Sequence, residues 1–371
     1  MKAYLPVICI GVFAVMALSN AIVPVLPSFA DESSWEGAIY AAYFFGAFLL
    51  TLPGGILSDR YGRLPVIRTG LILTVVSGFF LFSATAPVCV ISLRFLEGLG
   101  AGLFVAAGMS YVNSQPDHTR ISGYYLAMLN IGLVLGLVAS GWLAVRFMQS
   151  GLGIGVFTAL SFFALAVSFL IREPAPDPAI LQQPQKNGSA LSAFNAVRSL
   201  VGSYRWLWYS TIVLVGITGV ISSLYPDFSN EPADILGFWI AGMSIATIVT
   251  VLVVSRFPFP AICAIRWSAI FMAGGVIIAF VSPVGFLLLG ALAGIVMIAQ
   301  LSLLADVRDH QGIVMGLFST CSYLGMAILP FIAGLVTDAA GFFNAFLVTA
   351  LLGVTVALSI GWNHPTPDLI R

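Results

Sequence analysis

Apolar runs long enough to cross a bilayer follow one another along almost the whole chain, and this repetition decides the class of fold. A helix crossing a membrane needs about 20 apolar residues. Twelve such segments can be read, at 5–29, 36–57, 66–85, 88–113, 120–145, 152–171, 207–226, 236–254, 262–281, 284–304, 312–336 and 342–362. The spacing therefore predicts an all-α polytopic membrane protein. A hydrophobic fraction of 60% with only 8% charged residues excludes an ordinary soluble domain, which is about half apolar. The first twenty residues have some look of a cleaved leader, but Pro24 and Pro27 extend the same segment, and it is read as the first span.

The breaks between segments are polar or carry Gly and Pro, as at Asp31-Glu32-Ser33-Ser34, Gln115-Pro116-Asp117-His118 and Asp227–Asp234. One long interruption, from Arg172 to Arg205, holds Pro174, Pro176, Pro178, Pro184, Gln182, Gln183, Lys186 and Asn187. It reads as a linker at 172–206 between an N-terminal unit of six spans at 1–171 and a C-terminal unit at 207–371. Bases set the orientation, because Lys and Arg accumulate in cytoplasmic loops. With the amino terminus inside, only Arg146 falls outside and Arg94 lies within a span. The other 13 of the 15 bases are then cytoplasmic. Both termini are accordingly expected in the cytoplasm, with the chain in the cell's inner membrane.

An internal repeat supports two equivalent units. Gly98-x-x-x-Gly102 in the fourth span recurs as Gly290-x-x-x-Gly294 in the tenth, 192 residues later, and Asp117-His118 recurs as Asp309-His310 at that offset. With one residue added, Gly123, Gly132 and Gly141 of the fifth span correspond to Gly316, Gly325 and Gly334 of the eleventh. Small residues of this kind let membrane helices approach closely. Gly98, Gly102, Gly132, Gly136 and Gly141 are therefore expected to serve helix packing.

The charge-rich stretch Gly55-Ile56-Leu57-Ser58-Asp59-Arg60-Tyr61-Gly62-Arg63, continued by Leu64-Pro65-Val66-Ile67, sits between two apolar spans. It is expected to form a tight turn at a membrane face, since glycine permits positive φ and close backbone approach and the charges avoid hydrocarbon. The pattern resembles the loop between spans 2 and 3 of the major facilitator superfamily of transporters. Gly55, Leu57, Asp59, Arg60, Gly62, Arg63 and Ile67 match, while Ser58 and Leu64 depart. Further segments are similar to the same family. Asn20-Ala21-Ile22-Val23-Pro24-Val25-Leu26-Pro27 resembles the P-x-x-P ending of span 1 in twelve-span drug:proton antiporters. Arg94-Phe95-Leu96-Glu97-Gly98-Leu99-Gly100 resembles a span-4 pattern that more often has Gln at the place of Glu97. Gly132-x-x-x-Gly136-Leu137-x-x-Ser140-Gly141 resembles the exporter motif of span 5, with Leu137 and Ser140 replacing a proline and a glycine. The resemblance covers the entire chain. It implies two six-helix bundles related by pseudo-two-fold symmetry, a cavity between them and alternating access. It also implies that Gly55, Asp59, Arg60, Gly62 and Arg63 form a gate, with Asp59 facing the start of span 11 near Gly312 and the arginines tying span 2 to its neighbours.

Arg94 and Glu97 are read as the charges inside a span. At i, i+3 they share one helix face, and ionisable residues at such depth are functional by default. Burial and a nearby cation act on a carboxyl in opposite directions, so this pair could trade a proton. The competing reading has Arg94 snorkelling to the outer interface with Glu97 as its counter-ion. Polar residues at mid-span depth are candidates to line a substrate cavity: Asn20, Asn130, Tyr323, Tyr40, Tyr43, Ser222 and Gln300.

No G-x-x-x-x-G-K-[ST] loop, H-E-x-x-H or G-x-S-x-G occurs, and the chain has only two lysines, Lys2 and Lys186. ATP hydrolysis and membrane-embedded enzymology are not expected. Cys9, Cys89, Cys263 and Cys321 are scattered, and His118, His310 and His364 do not cluster, so no metal, cofactor or disulfide framework is indicated. Net charge of zero implies no nucleic-acid partner. The expected partners are a small-molecule substrate, protons and the lipid bilayer, with the chain acting as a monomer. Sparse cavity charge with many Phe, Met and aliphatic residues suits a proton-coupled exporter of small hydrophobic or drug-like compounds. A proton-linked importer of a small organic solute or sugar is the alternative, followed by a non-transporting sensor or scaffold.

Overall fold

The computed structural model describes residues 4–113, 118–170, 190–229, 231–257, 259–305 and 311–360, and among them it is helical with no strand. In chain order the helices are α1 (Tyr4–Ala21), α2 (Ser33–Tyr61), α3 (Arg63–Leu81), α4 (Pro87–Asn113), α5 (His118–Phe147) and α6 (Leu152–Phe169). After these come α7 (Ala190–Ser203), α8 (Arg205–Phe228), α9 (Ala233–Val254), α10 (Ala261–Val281), α11 (Val284–Ala305), α12 (Gln311–Ala340) and α13 (Phe342–Ser359). Eleven of them are long and apolar enough to cross a membrane. Helix α1 ends at Ala21, and the first apolar segment continues as a 3-10 helix at Val23–Ser28. Pro24 and Pro27 explain the change. Each lacks an N–H and crowds the carbonyl four residues back.

Two expectations are revised. The tight turn expected of the charged stretch is confined to one residue: α2 continues through Tyr61, Gly62 alone leaves the helix, at φ 92°, and α3 starts at Arg63. Such a φ favours glycine. Gly55 meets no close neighbour, so backbone approach is not its role in this conformation. The segment read as a linker also contains an ordered part. Helix α7 docks beside α8, where Trp208 Nε1 donates to the Leu200 carbonyl at 3.0 Å. Residues 172–189 of that segment, with Asp117, Asp309 and His310, lie outside the described residues.

Packing repeats between the first six spans and the last six. Helix α2 packs on α4, α1 on α5 and α3 on α6. The same relations hold for α9 on α11, α8 on α12 and α10 on α13. The two sets then meet through α2 against α12 and α5 against α9. These two junctions exchange under the same relation, which is the signature of a two-fold arrangement. Glycines make the approaches possible. A Cβ at Gly98 would overlap the Tyr43 carbonyl and one at Gly290 would overlap the Met243 carbonyl. Likewise Gly132 and Gly136 lie on the Phe13 and Ala17 carbonyls, and Gly325 lies on that of Ile212. A Cβ at Gly102 would come to 2.9 Å from the Ala47 carbonyl oxygen. Gly141 faces across the junction, onto Ala233 of α9, and its counterpart Gly334 faces Ser33 of α2.

Among the described residues the two sets of six touch most tightly at one end. On α2 the close contacts fall at Ser33–Gly37, on α12 at Pro330–Asp338, on α5 at Leu137–Gly141 and on α9 at Ala233–Gly237. Toward the Asp59 end, a Cβ at Gly316 would meet only the Leu52 side chain, at 3.2 Å, and Gly123 meets nothing within 4 Å. The bundle is thus closed at the Asp31 end.

Candidate functional site

Inward of that closure, between the two sets of six helices, lies a cavity of about 420 Å³. Its size is that of pockets that take small ligands. Asn20, Tyr40, Tyr43, Asn130, Ser222, Gln300 and Tyr323 all line it. Most of their polar atoms are already engaged. Asn20 Nδ2 donates to Leu133 O at 3.2 Å, joining α1 to α5. Asn130 Nδ2 donates to Leu126 O of its own helix at 2.8 Å. Ser222 Oγ donates to Thr218 O of its own helix at 2.9 Å. Gln300 Nε2 donates to Ser210 Oγ at 3.0 Å, which leaves its buried Oε1 without a partner.

The rest of the wall is largely apolar. Phe44 sits 5.0 Å from the Tyr40 ring, 5.1 Å from Tyr43 and 6.3 Å from Tyr323, so an aromatic group spans the two sets. Met16, Met243, Met297 and Met326 complete it from four helices. No lining residue is charged. Phe44, the methionines, Ser19 and Thr247 were not singled out in the sequence. An apolar or small side chain at mid-span gives no sign, on its own, of facing a cavity rather than lipid or a neighbouring helix.

Arg94 and Glu97 do not line the cavity. They are buried behind its wall, 1% and 0% exposed, so Arg94 does not snorkel. Arg94 Nη1 donates to Glu97 Oε2 at 2.8 Å, and Nη2 donates to the Ser19 carbonyl at 3.0 Å. Its guanidinium also lies over the Tyr43 ring, 4.6 Å from the centroid. Ser19 and Tyr43 are cavity residues, so the ion pair touches the cavity through them. Arg94 Nε and Glu97 Oε1 are buried with no hydrogen-bond partner. An unsatisfied carboxylate oxygen at such depth is costly, which makes it a place to take a proton.

At the Asp59 end, Arg63 Nε donates to Ser110 Oγ of α4 at 3.3 Å, and the Arg60 guanidinium lies 5.4 Å from the Tyr61 ring. Arg63 thus bridges to a neighbour, while the Arg60 contact stays on its own helix. Gly312 lies in the first turn of α12, and nothing is described of its surroundings or of the Asp59 side chain. Three cations therefore stand in different settings: Arg94 sealed in the bundle, Arg63 half-buried at the face, and Arg60 exposed there.

With this geometry in place, comparison with known proteins is informative. The family model described as Major Facilitator Superfamily matches residues 8–330. "Multidrug resistance protein 2" of Bacillus subtilis (strain 168) is 23% identical, over 96% of this chain and 94% of its own length. "Quinolone resistance protein NorA" of Staphylococcus aureus (strain MRSA252) is 26% identical, over 90% of this chain and 89% of its own. Among solved structures, a mutant of the nucleoside transporter NupG superposes with a TM-score of 0.78 at 14% identity, covering 96% of this chain and 98% of that one. At that identity the likeness concerns the fold alone.

Proposed function

The chain belongs to the Major Facilitator Superfamily, and we propose that it exports small, largely apolar or drug-like solutes in exchange for protons by alternating access. It is a transporter and not an enzyme. The observation that carries the finer reading is a cavity with uncharged, Met-rich and aromatic walls that an ion pair touches from behind. Flexible thioethers and aromatic faces accommodate varied apolar shapes. The resistance-protein names of the two relatives support the same substrate class. In this reading a single chain works in the inner membrane, with units at 1–171 and 207–371. Both termini lie in the cytoplasm, so the closed Asp31 end faces outward.

Coupling follows from the wall. Glu97 Oε1 takes a proton while Oε2 stays with Arg94, and neutralising the carboxyl weakens its hold on the guanidinium. Arg94 then leans more on the Ser19 carbonyl and the Tyr43 ring, which face the solute. Solute and proton thereby compete through one arginine. That is an antiport relation, and their affinities must be linked reciprocally.

In proteoliposomes loaded with a pH-sensitive dye and given a proton gradient, apolar cations and neutral drugs should drive proton movement opposite to their own. Glu97→Gln should abolish the proton flux while drug binding persists. If the flux survives that substitution, the coupling role of Glu97 is wrong.

Gating forms a separate expectation. Asp59→Asn should fold and bind normally but slow turnover about tenfold or more, since an acid at this place is taken to hold the Asp59 end closed in the other state. Unchanged turnover would remove the gate from this stretch.

A further inference from the structure

Where the two sets of helices close, a carboxyl is buried that neither the cavity nor the ion pair uses. Glu36, on the first turn of α2, is 1% exposed, and its Oε2 has no hydrogen-bond partner. Two further acids come to it from the other six-helix set. Asp227, at the end of α8, accepts from Ser33 Oγ, and Asp338, at the end of α12, accepts from the Ser34 backbone N–H at 3.0 Å. Both lie within electrostatic reach of Glu36. Backbone packs on backbone here, with Gly37 against the Pro330 carbonyl and Gly334 against that of Ser33. The site is tight.

We propose that Glu36 is a proton-binding residue that latches this closure: neutral, it lets the two sets of helices meet, and ionised, it drives them apart. The reason is a balance of charge. The N-terminus of α2 gives Asp227 and Asp338 partners in Ser33 and Ser34, and its dipole favours acids there. Glu36 has neither. A third negative charge sealed beside two others, with no cation, is repelled across the one surface that must separate for the Asp31 end to open. Other ionisable groups near this turn do not supply a counter-charge. The packed end of α3 and the 3-10 helix bring none, α8 adds Tyr225, and α2 itself adds Tyr40. Helix α4 brings the exposed thiol of Cys89 and, two turns deeper, Arg94, which is committed to Glu97. Asp31 and Glu32, just before α2, are again acids. The proton leaves the Glu36 carboxyl for water on the Asp31 side. Asp338 is exposed on that side, and the same side returns a proton when the closure re-forms.

This inference rests on alternating access, and its test keeps the two apart. In the full chain, with the four native cysteines replaced, Ser322→Cys places a reporter in the cavity wall. Intact cells are treated with a membrane-impermeant maleimide while external pH is varied. Labelling, divided at each pH by that of the same protein unfolded in denaturant so that the thiol's own rise in reactivity cancels, should rise about tenfold from acidic to alkaline pH, a coupling of ordinary allosteric size. Glu36→Gln should stay at the slow acidic rate throughout, and Asp227→Asn with Asp338→Asn should flatten the rise. If Glu36→Gln fails to fold, the Asp pair alone decides. Labelling that keeps its pH dependence in these variants overturns the latch and leaves alternating access standing. A cavity never labelled from outside at any pH overturns both.

Discussion

Replacing Arg94 with methionine should abolish transport and cost about 3–5 kcal/mol of stability, the range for removing one partner of a buried ion pair. The loss comes from what is left behind. Glu97, 0% exposed, would lose the donor at 2.8 Å and hold a charge with no partner. The Ser19 carbonyl would lose a donor at 3.0 Å, and the Tyr43 face would lose its cation. Arg94→Met with Glu97→Leu should regain most of the stability, because a well-packed apolar pair replaces a buried ionic one at little cost. Transport should not return. Thermal unfolding in detergent and solute flux in proteoliposomes separate the two effects. An Arg94→Met protein with parental stability would mean that the pair is not sealed as the structure has it.

A second large effect is expected at Gly98. A side chain there would overlap the Tyr43 carbonyl, and no rotamer can relieve a clash with backbone. Gly98→Leu should force α2 off α4, shift Tyr43 and Phe44 out of the cavity wall, and destabilise by more than the usual overpacking cost of about 1–3 kcal/mol. Gly290→Leu should do the same through Met243. Gly123→Ala supplies the contrast. Nothing lies within 4 Å of a Cβ there, and alanine is the better helix former, so stability should hold or rise by up to about 1 kcal/mol. The measurement is the yield of folded protein and its unfolding midpoint. Equal behaviour of Gly98→Leu and Gly123→Ala would contradict the helix contacts.

Much of this was written in the chain because a membrane leaves few solutions. Apolar length and regular breaks sufficed for an all-α spanning protein, and the offset glycines Gly98/Gly290 and Gly132/Gly325 disclosed the repeat that packing then realised. Mid-span polarity was equally telling. A lone Asn or Gln in hydrocarbon needs a helix partner or a wet cavity, and Asn20, Asn130 and Gln300 lie along one cavity with Ser222 and the three tyrosines.

What the sequence could not hold is proximity between distant segments. Glu36 reads as the polar edge of a loop. Only tertiary packing brings it against Asp227 and Asp338, 191 and 302 residues away in the chain, and buries it there. The same holds for Phe44 and Met326. No local pattern tells a residue that faces a cavity from one that faces lipid, because both surroundings are apolar. Arg94 was legible as a charge in a span, but its depth was open between snorkelling and burial. Contacts from α1 and α2, through the Ser19 carbonyl and the Tyr43 ring, decided it. Residue type sets what must be paired, and the fold alone sets with what.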